Sequence, residues 1–181
     1  QNMEMARLFA RRFNRIYNIE YFKEPQSFHF SDKAVKVPGL DGSGKMGKSE
    51  GNAIYLCDDE ATIKKKVMRA VTDEGPQAPN SPMSEPIKNL FTLLELVSTP
   101  DKVQFFTDAY NDCSIRYGDL KKEIAQDILN ITTPIRERII DIQNDEEYLS
   151  KVVRMGAEKA RERASKTLEE VRQIMGIKRF F

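Results

Sequence analysis

The chain is poor in the residues that hold metals and disulfides. Cys57 and Cys113 are its only cysteines, and His29 is its only histidine. The two thiols lie far apart with no metal-type spacing, so neither a disulfide framework nor a zinc site is expected, and both are read as reduced, structural thiols. No protein-bound metal is expected. Charge of one sign is also lacking: 29 Lys and Arg face 28 Asp and Glu. That balance removes any global basic field and leaves contact with nucleic acid to local patches. No apolar run approaches the roughly 20 residues that span a bilayer. The opening Gln1-Asn2-Met3-Glu4 has neither the basic nor the apolar section of a signal peptide. A cytoplasmic protein without a membrane partner is expected, and the missing initiator methionine suggests a piece of something longer.

What is present suits a soluble, helix-rich globular protein, with 40% hydrophobic and 31% charged residues. From Asn2 to about Tyr17, Met5, Leu8, Phe9, Phe13 and Ile16 share one helical face, with Arg7, Arg11 and Arg15 opposite. Short extended pieces are expected at Ser27–Phe30, Ala34–Val37 and Ala53–Leu56, around a glycine-dense stretch from Pro38 to Gly51. From Asp58 onward the pattern is helical. Asp58 and Asp59 open a helix with Ile63, Val67 and Val71 on its apolar face. Further helices are predicted over Glu85 to Val97 and from a Thr99-Pro100-Asp101 cap through Tyr110. A long stripe runs from Leu120 through Ile124, Ile128, Ile131, Ile135 and Ile139 to Ile142, and Pro134 within it predicts a kink or break near Thr132. The last helix is expected from about Glu146 to Met175, stopped by Gly176, with Gly156, Ala160 and Ala164 allowing close approach of a partner helix. These stripes are read as core. The fold class is mainly α, with a small mixed α/β part to about residue 56 and a larger all-helical part after it.

Chemistry concentrates in Gly42-Ser43-Gly44-Lys45-Met46-Gly47-Lys48-Ser49. Two lysines three apart in a glycine-bounded loop suit a polyphosphate, because each ammonium is a compact charge on a flexible stem and glycines let backbone N–H groups approach phosphate oxygens. The stretch formally satisfies the P-loop pattern G-x-x-x-x-G-K-[ST]. That motif works only where a helix begins at the lysine and turns its N-terminus to the phosphates. Here Glu50-Gly51-Asn52 and an extended-looking segment follow instead, so a P-loop hydrolase is the weaker reading.

Lys45-Met46-Gly47-Lys48-Ser49 resembles the KMSKS loop of class I aminoacyl-tRNA synthetases in four of five positions, with Gly47 where the middle serine would stand. The surroundings point to the tryptophanyl branch. Lys64 through Asp73, ending Ala70-Val71-Thr72-Asp73, resembles the lysine-rich helix after that loop, and Ser84 through Leu90 resembles the next helix start. Tyr117-Gly118-Asp119-Leu120-Lys121, Pro134 through Arg138 and Gly156 through Ala160 look like later landmarks. Glu4 through Asn14 is similar to a helix of the catalytic domain.

The resemblance implies that residues 1–56 finish a Rossmann-type catalytic domain and that 57–181 form a helical anticodon-side domain, its terminal helix packing back. It implies that Lys45 and Lys48 stabilise departing pyrophosphate, within an ATP-binding loop of Lys45, Met46, Gly47, Lys48 and Ser49. ATP with magnesium, tryptophan and tRNA(Trp) are the implied partners, and the family is homodimeric. The family's two-histidine HIGH signature cannot be met by His29 alone, so this polypeptide is expected to be inactive by itself. A stand-alone RNA-binding helical module remains the other alternative. Lys64, Lys65 and Lys66 read as a solvated helix face. Arg136, Arg138, Arg161 and Arg163 read as surface partners of Glu137, Glu158 and Glu162.

Overall fold

A computed structural model describes residues 1–28 and 36–178. Among them are six helices and no strand: α1 Asn2–Tyr17, α2 Glu60–Met68, α3 Glu85–Val97, α4 Pro100–Asn111, α5 Tyr117–Gln143 and α6 Glu146–Ile174. The mainly α class is therefore observed. The segment around Ala53–Leu56 is not a strand, and half of the other two extended pieces, His29 included, lies outside the described residues. The chain divides into two compact units, Gln1–Phe30 with Asp145–Phe181, and Ser31–Asn144. Compactness thus groups the residues differently from a division after residue 56.

In the unit Ser31–Asn144, α2 starts where the Asp59 carboxylate accepts the Thr62 N–H at 2.7 Å, satisfying a donor that the first helical turn leaves open. Ile63 and Val67, four residues apart, are both fully buried. Val71 does not join them and is exposed. The helix stops at Met68, and the Val71 N–H turns away to the Leu40 carbonyl at 3.0 Å. Lys121, itself buried, donates its ammonium to the Ala70 carbonyl at 2.7 Å. A cation thus closes the C-terminal end of α2, where the helix dipole is negative.

Against α2 lies α5, which also packs on α3, and α3 meets α4. Ile87, Leu90, Phe91 and Leu94 recur at helical spacing on α3 and are buried with Tyr110, Leu120, Ile124 and Ile128 in one core. The Phe91 and Tyr110 rings meet edge-on with centroids 6.0 Å apart. Lys102 of α4 bonds both oxygens of the buried Asp127 on α5, at 2.7 and 2.9 Å. The Ser98 hydroxyl, at the end of α3, donates to the same carboxylate at 2.6 Å.

Two expectations about α5 are corrected. Of the kink or break expected near Thr132, the break is absent: the helix continues through Pro134. Pro134 and Asn130 are both exposed, so the one carbonyl that loses its donor can be hydrated. The apolar stripe is buried only in its first half, since Ile131 and Ile135 are exposed.

In the unit Gln1–Phe30 with Asp145–Phe181, Asn14 folds the chain back after α1. Its side chain donates to the Phe22 carbonyl at 2.8 Å and accepts the N–H groups of Tyr21 and Phe22 at 3.2 and 3.0 Å. Asn18 makes the reversal in the left-handed region, φ 51°, where asparagine is tolerated better than most residues. Phe13, Tyr17, Tyr21 and Phe22 cluster there. The Tyr21 hydroxyl reaches Glu170 on α6 at 2.6 Å.

The stripes of α1 and α6 are not core in this chain. Met5, Leu8, Phe9 and Ile16 are half or more exposed, and α6 buries no residue. A Cβ added to Gly156 would meet nothing within 4 Å, so none of the described helices uses the small-residue approach there. Amphipathicity records that a helix has a face to bury, and none of the described residues covers these faces. The basic residues also depart from expectation. Arg136, Arg138, Arg161 and Arg163 form no ion pair with Glu137, Glu158 or Glu162 among the described residues. Cys57 and Cys113 are free but exposed, so neither is a core residue.

Candidate phosphate-binding loop

The glycine-dense stretch is built on a short turn. The Gly39 N–H reaches the Ser43 carbonyl at 3.0 Å, and Asp41 accepts both the Ser43 N–H at 3.0 Å and the Ser43 hydroxyl at 2.6 Å. This Asx-type turn is what Asp-x-Ser spacing favours. Gly42 sits at φ +84°, which a side chain rarely adopts. Gly39 is needed for space, because a Cβ there would lie 2.3 Å from the Asn52 amide nitrogen.

Apolar residues fasten the loop to the helical core. Leu40 is buried in that core, and Met46 and Ile54 pack against it. Asn89 of α3 donates to the Ser43 carbonyl at 3.0 Å, and the Met46 N–H is held by the Val37 carbonyl at 2.7 Å.

Inside the loop stands Asn52, only 5% exposed. Its amide nitrogen donates to Asp41 at 2.9 Å, to the Ser43 hydroxyl at 3.0 Å and to the Lys45 carbonyl at 3.1 Å. Its amide oxygen accepts the Gly47 N–H at 2.9 Å. The Ser43 hydroxyl, then the Asn52 amide and the Ser43 N–H, hold the pKa of the Asp41 carboxyl down to about 2. Asp41 is therefore a fixed anion turned to its own turn.

Lys45 and Lys48 are both exposed, and neither ammonium has a carboxylate partner among the described residues. They stand on either side of the half-buried pair Met46 and Gly47. Ser49 is exposed and its hydroxyl touches Glu50 at 3.3 Å. Side-chain space beside Gly47 is taken: a Cβ there would come to 2.9 Å from Glu50 Cγ. Two of the side chains the loop exposes are cations without a carboxylate partner among the described residues, which suits an anion with several oxygens. Among the described residues no group of three His, Cys, Asp or Glu side chains could hold a metal ion.

No helix begins at Lys48; a turn follows, and α2 does not start until Glu60. The P-loop reading therefore lacks the helix N-terminus that its phosphates need.

The lysines after the loop are not one solvated face. Lys64 pairs with Glu60, and Lys65 is exposed. Lys66 is half-buried, donates to the Ala53 carbonyl at 3.0 Å, pairs with Asp58 and lies 4.7 Å from the Tyr55 ring centroid. Asn52, Asp41 and Lys66 are the local residues that sequence patterns missed. Of the three, only Asp41 carries a local signal that could have found it, the turn-favouring spacing of Asp41-Gly42-Ser43.

The family model for class I tRNA synthetases (W and Y) matches residues 1–133, a span that includes the whole lysine loop. The tryptophan–tRNA ligase of Porphyromonas gingivalis is 64% identical over 178 residues, covering 98% of this chain and 54% of the relative. That of Streptococcus pneumoniae is 36% identical over 186 residues, covering 98% of this chain and 53% of the relative. The chain thus spans about half the length of the curated relatives it matches. Among solved structures, tryptophanyl-tRNA synthetase from Campylobacter jejuni has TM-scores of 0.71, in complex with ADP and tryptophan, and 0.70. Those two share 24% and 25% sequence identity with this chain, and each match covers 96% of it and 53% of the solved chain. Loop, helices and family model agree, and the chain belongs to the class I tRNA synthetases of the tryptophan and tyrosine branch.

Proposed function

We propose that this chain is part of a tryptophan–tRNA ligase, and that its lysine loop serves the ATP-dependent half of the reaction. The 64% identity to a tryptophan–tRNA ligase along nearly the whole chain carries this reading. In such an enzyme the tryptophan carboxylate attacks the α-phosphorus of ATP, the aminoacyl adenylate forms, and pyrophosphate leaves. The acyl group then passes to tRNA(Trp). Magnesium accompanies ATP as part of the substrate.

Lys45 and Lys48 stabilise the charge that grows on pyrophosphate as the bond to the α-phosphorus breaks. Two observations support that role: both ammoniums are exposed, and both stand on a loop whose other side is fastened to the core. Met46 is the loop's apolar anchor, while Gly47 and Ser49 complete its ATP-facing segment. Residues 1–56 complete the Rossmann-type catalytic domain and 57–181 form the helical, anticodon-side part. The two-histidine ATP signature must come from outside this chain, which has one histidine. On this reading the isolated chain does not activate tryptophan, and the full-length enzyme is a cytoplasmic homodimer.

The test is amino-acid-dependent exchange of pyrophosphate into ATP by the full-length enzyme containing this segment. Tryptophan supports exchange and tyrosine does not. Exchange driven by tyrosine, or by neither amino acid, contradicts the reading.

A further inference from the structure

Lys45 and Lys48 can act on a leaving group only if the peptide planes that carry them are held in place, and one buried side chain holds both sides of the segment between them. Asn52 accepts the Gly47 N–H and donates to the Lys45 carbonyl. These two backbone groups flank Met46. Among the described residues, the remaining hydrogen bonds of the Asn52 side chain go to Asp41 and Ser43, in the turn on which the loop stands. None goes to the helices. An amide is suited to this position because it donates and accepts at once. A carboxylate at 52 could not donate to the Lys45 carbonyl, and it would face the Asp41 carboxylate at hydrogen-bond distance.

Behind the amide, Asp41 is exposed, and its Oδ1 takes the Ser43 N–H, the Ser43 hydroxyl and the Asn52 amide. That oxygen braces the loop, and Asp41 forms no ion pair with Lys45 or Lys48 among the described residues. We infer that Asn52, backed by Asp41, is a positioning residue for adenylate formation, fixing the backbone from which Lys45 and Lys48 reach the departing pyrophosphate. The inference rests on the proposed ligase function and adds to it two residues outside the five-residue lysine signature.

The experiment uses the full-length enzyme with Asn52→Ala, Asn52→Asp, Asp41→Ala and Asp41→Asn, with Lys45→Ala as reference and the Asn52→Ala/Lys45→Ala double variant. Single-turnover adenylate formation, tryptophan affinity and the thermal midpoint are measured for each. Asn52→Ala and Asn52→Asp are expected to slow adenylate formation by about ten- to a hundredfold, the scale of a loss of catalytic alignment, while tryptophan affinity stays within about twofold. Asp41→Ala, at an exposed position, follows in the same direction. Asp41→Asn keeps an acceptor oxygen and restores most of the rate. In the Lys45→Ala background the Asn52→Ala effect shrinks, because the group it positions is gone.

Full rates in Asn52→Ala and Asp41→Ala beside a slow Lys45→Ala overturn the positioning role and leave the ligase reading intact. So do additive losses in the double variant, which mark a structural role only. An undiminished rate in Lys45→Ala overturns the ligase role of the loop itself, and the positioning role with it.

Discussion

Tyr117, the first residue of α5, donates its hydroxyl to Asp73 at 2.7 Å across a separation of 44 residues. Asp73 also accepts the Gly75 N–H at 2.9 Å and the hydroxyl of Ser84, the residue just before α3. One carboxylate therefore ties the segment after α2 to the starts of α3 and α5. Two residues earlier, the Val71 N–H holds Leu40 at the base of the lysine loop.

This junction predicts an acid-dependent loss of stability. Burial pushes the Asp73 carboxyl up, but the bonds from Ser84, Tyr117 and Gly75 outweigh it and hold the group below its ordinary 3.8. Burial, and then Asp73, push the Tyr117 phenol up. A carboxyl that ionises more readily in the fold stabilises it above the ordinary value, and that stability is lost as pH falls through the lower, folded value. Tyr117→Phe is expected to cost about 0.5–1.5 kcal/mol at neutral pH, as one intramolecular hydrogen bond does. In urea unfolding, the deficit of Asp73→Asn relative to the parent protein should narrow as pH drops below 3.8. A deficit that stays constant across that range contradicts the assignment.

Lys121 supplies a second prediction. Its buried ammonium closes the end of α2 at the Ala70 carbonyl, and burial lowers its pKa. Lys121→Met keeps the apolar stem and removes the donors, leaving that carbonyl unpaired. A loss of about 1–3 kcal/mol in unfolding free energy is expected, the desolvation cost of an orphaned buried acceptor. No change would mean that the ammonium only reaches solvent.

Gly42 supplies a third. Its φ of +84° disfavours any side chain, and a Cβ would sit 3.3 Å from Pro86 Cγ. Gly42→Ala is expected to destabilise by about 1–2 kcal/mol through the left-handed backbone alone, read as a lower denaturation midpoint. Gly44 has open space and no such φ, so Gly44→Ala at the same loop serves as the neutral comparison.

The helices were legible because periodicity and end signals are local. α1 and α3 run over the predicted residues, Asn2–Tyr17 and Glu85–Val97, and Asp59 caps α2 as acidic starts suggest. What periodicity cannot say is whether a face finds a partner. The stripes on α1 and α6 have the pattern of core and are exposed. Proline in α5 predicted a kink or break, and the helix runs through it without a break at an exposed position.

The lysine pair was legible as a short motif, whereas the residues that hold it were not. Asn52 joins four loop groups by contacts that carry no sequence period. Lys66 looked like a solvated charge because its partners, Ala53 and Asp58, lie outside its helix. Hydrogen-bond networks of this kind depend on where the turn brings the chain, and composition is silent on that.

The central claim is that Lys45 and Lys48 act on the leaving pyrophosphate rather than on the amino acid. The direct measurement is pre-steady-state adenylate formation by full-length enzymes carrying Lys45→Ala or Lys48→Ala, with tryptophan affinity determined on the same samples. Each variant is expected to lose about 2–4 kcal/mol of transition-state stabilisation, the scale of one charge-stabilising group, while tryptophan binds as before. Equal losses in rate and in tryptophan affinity, or no loss in rate, would contradict the account.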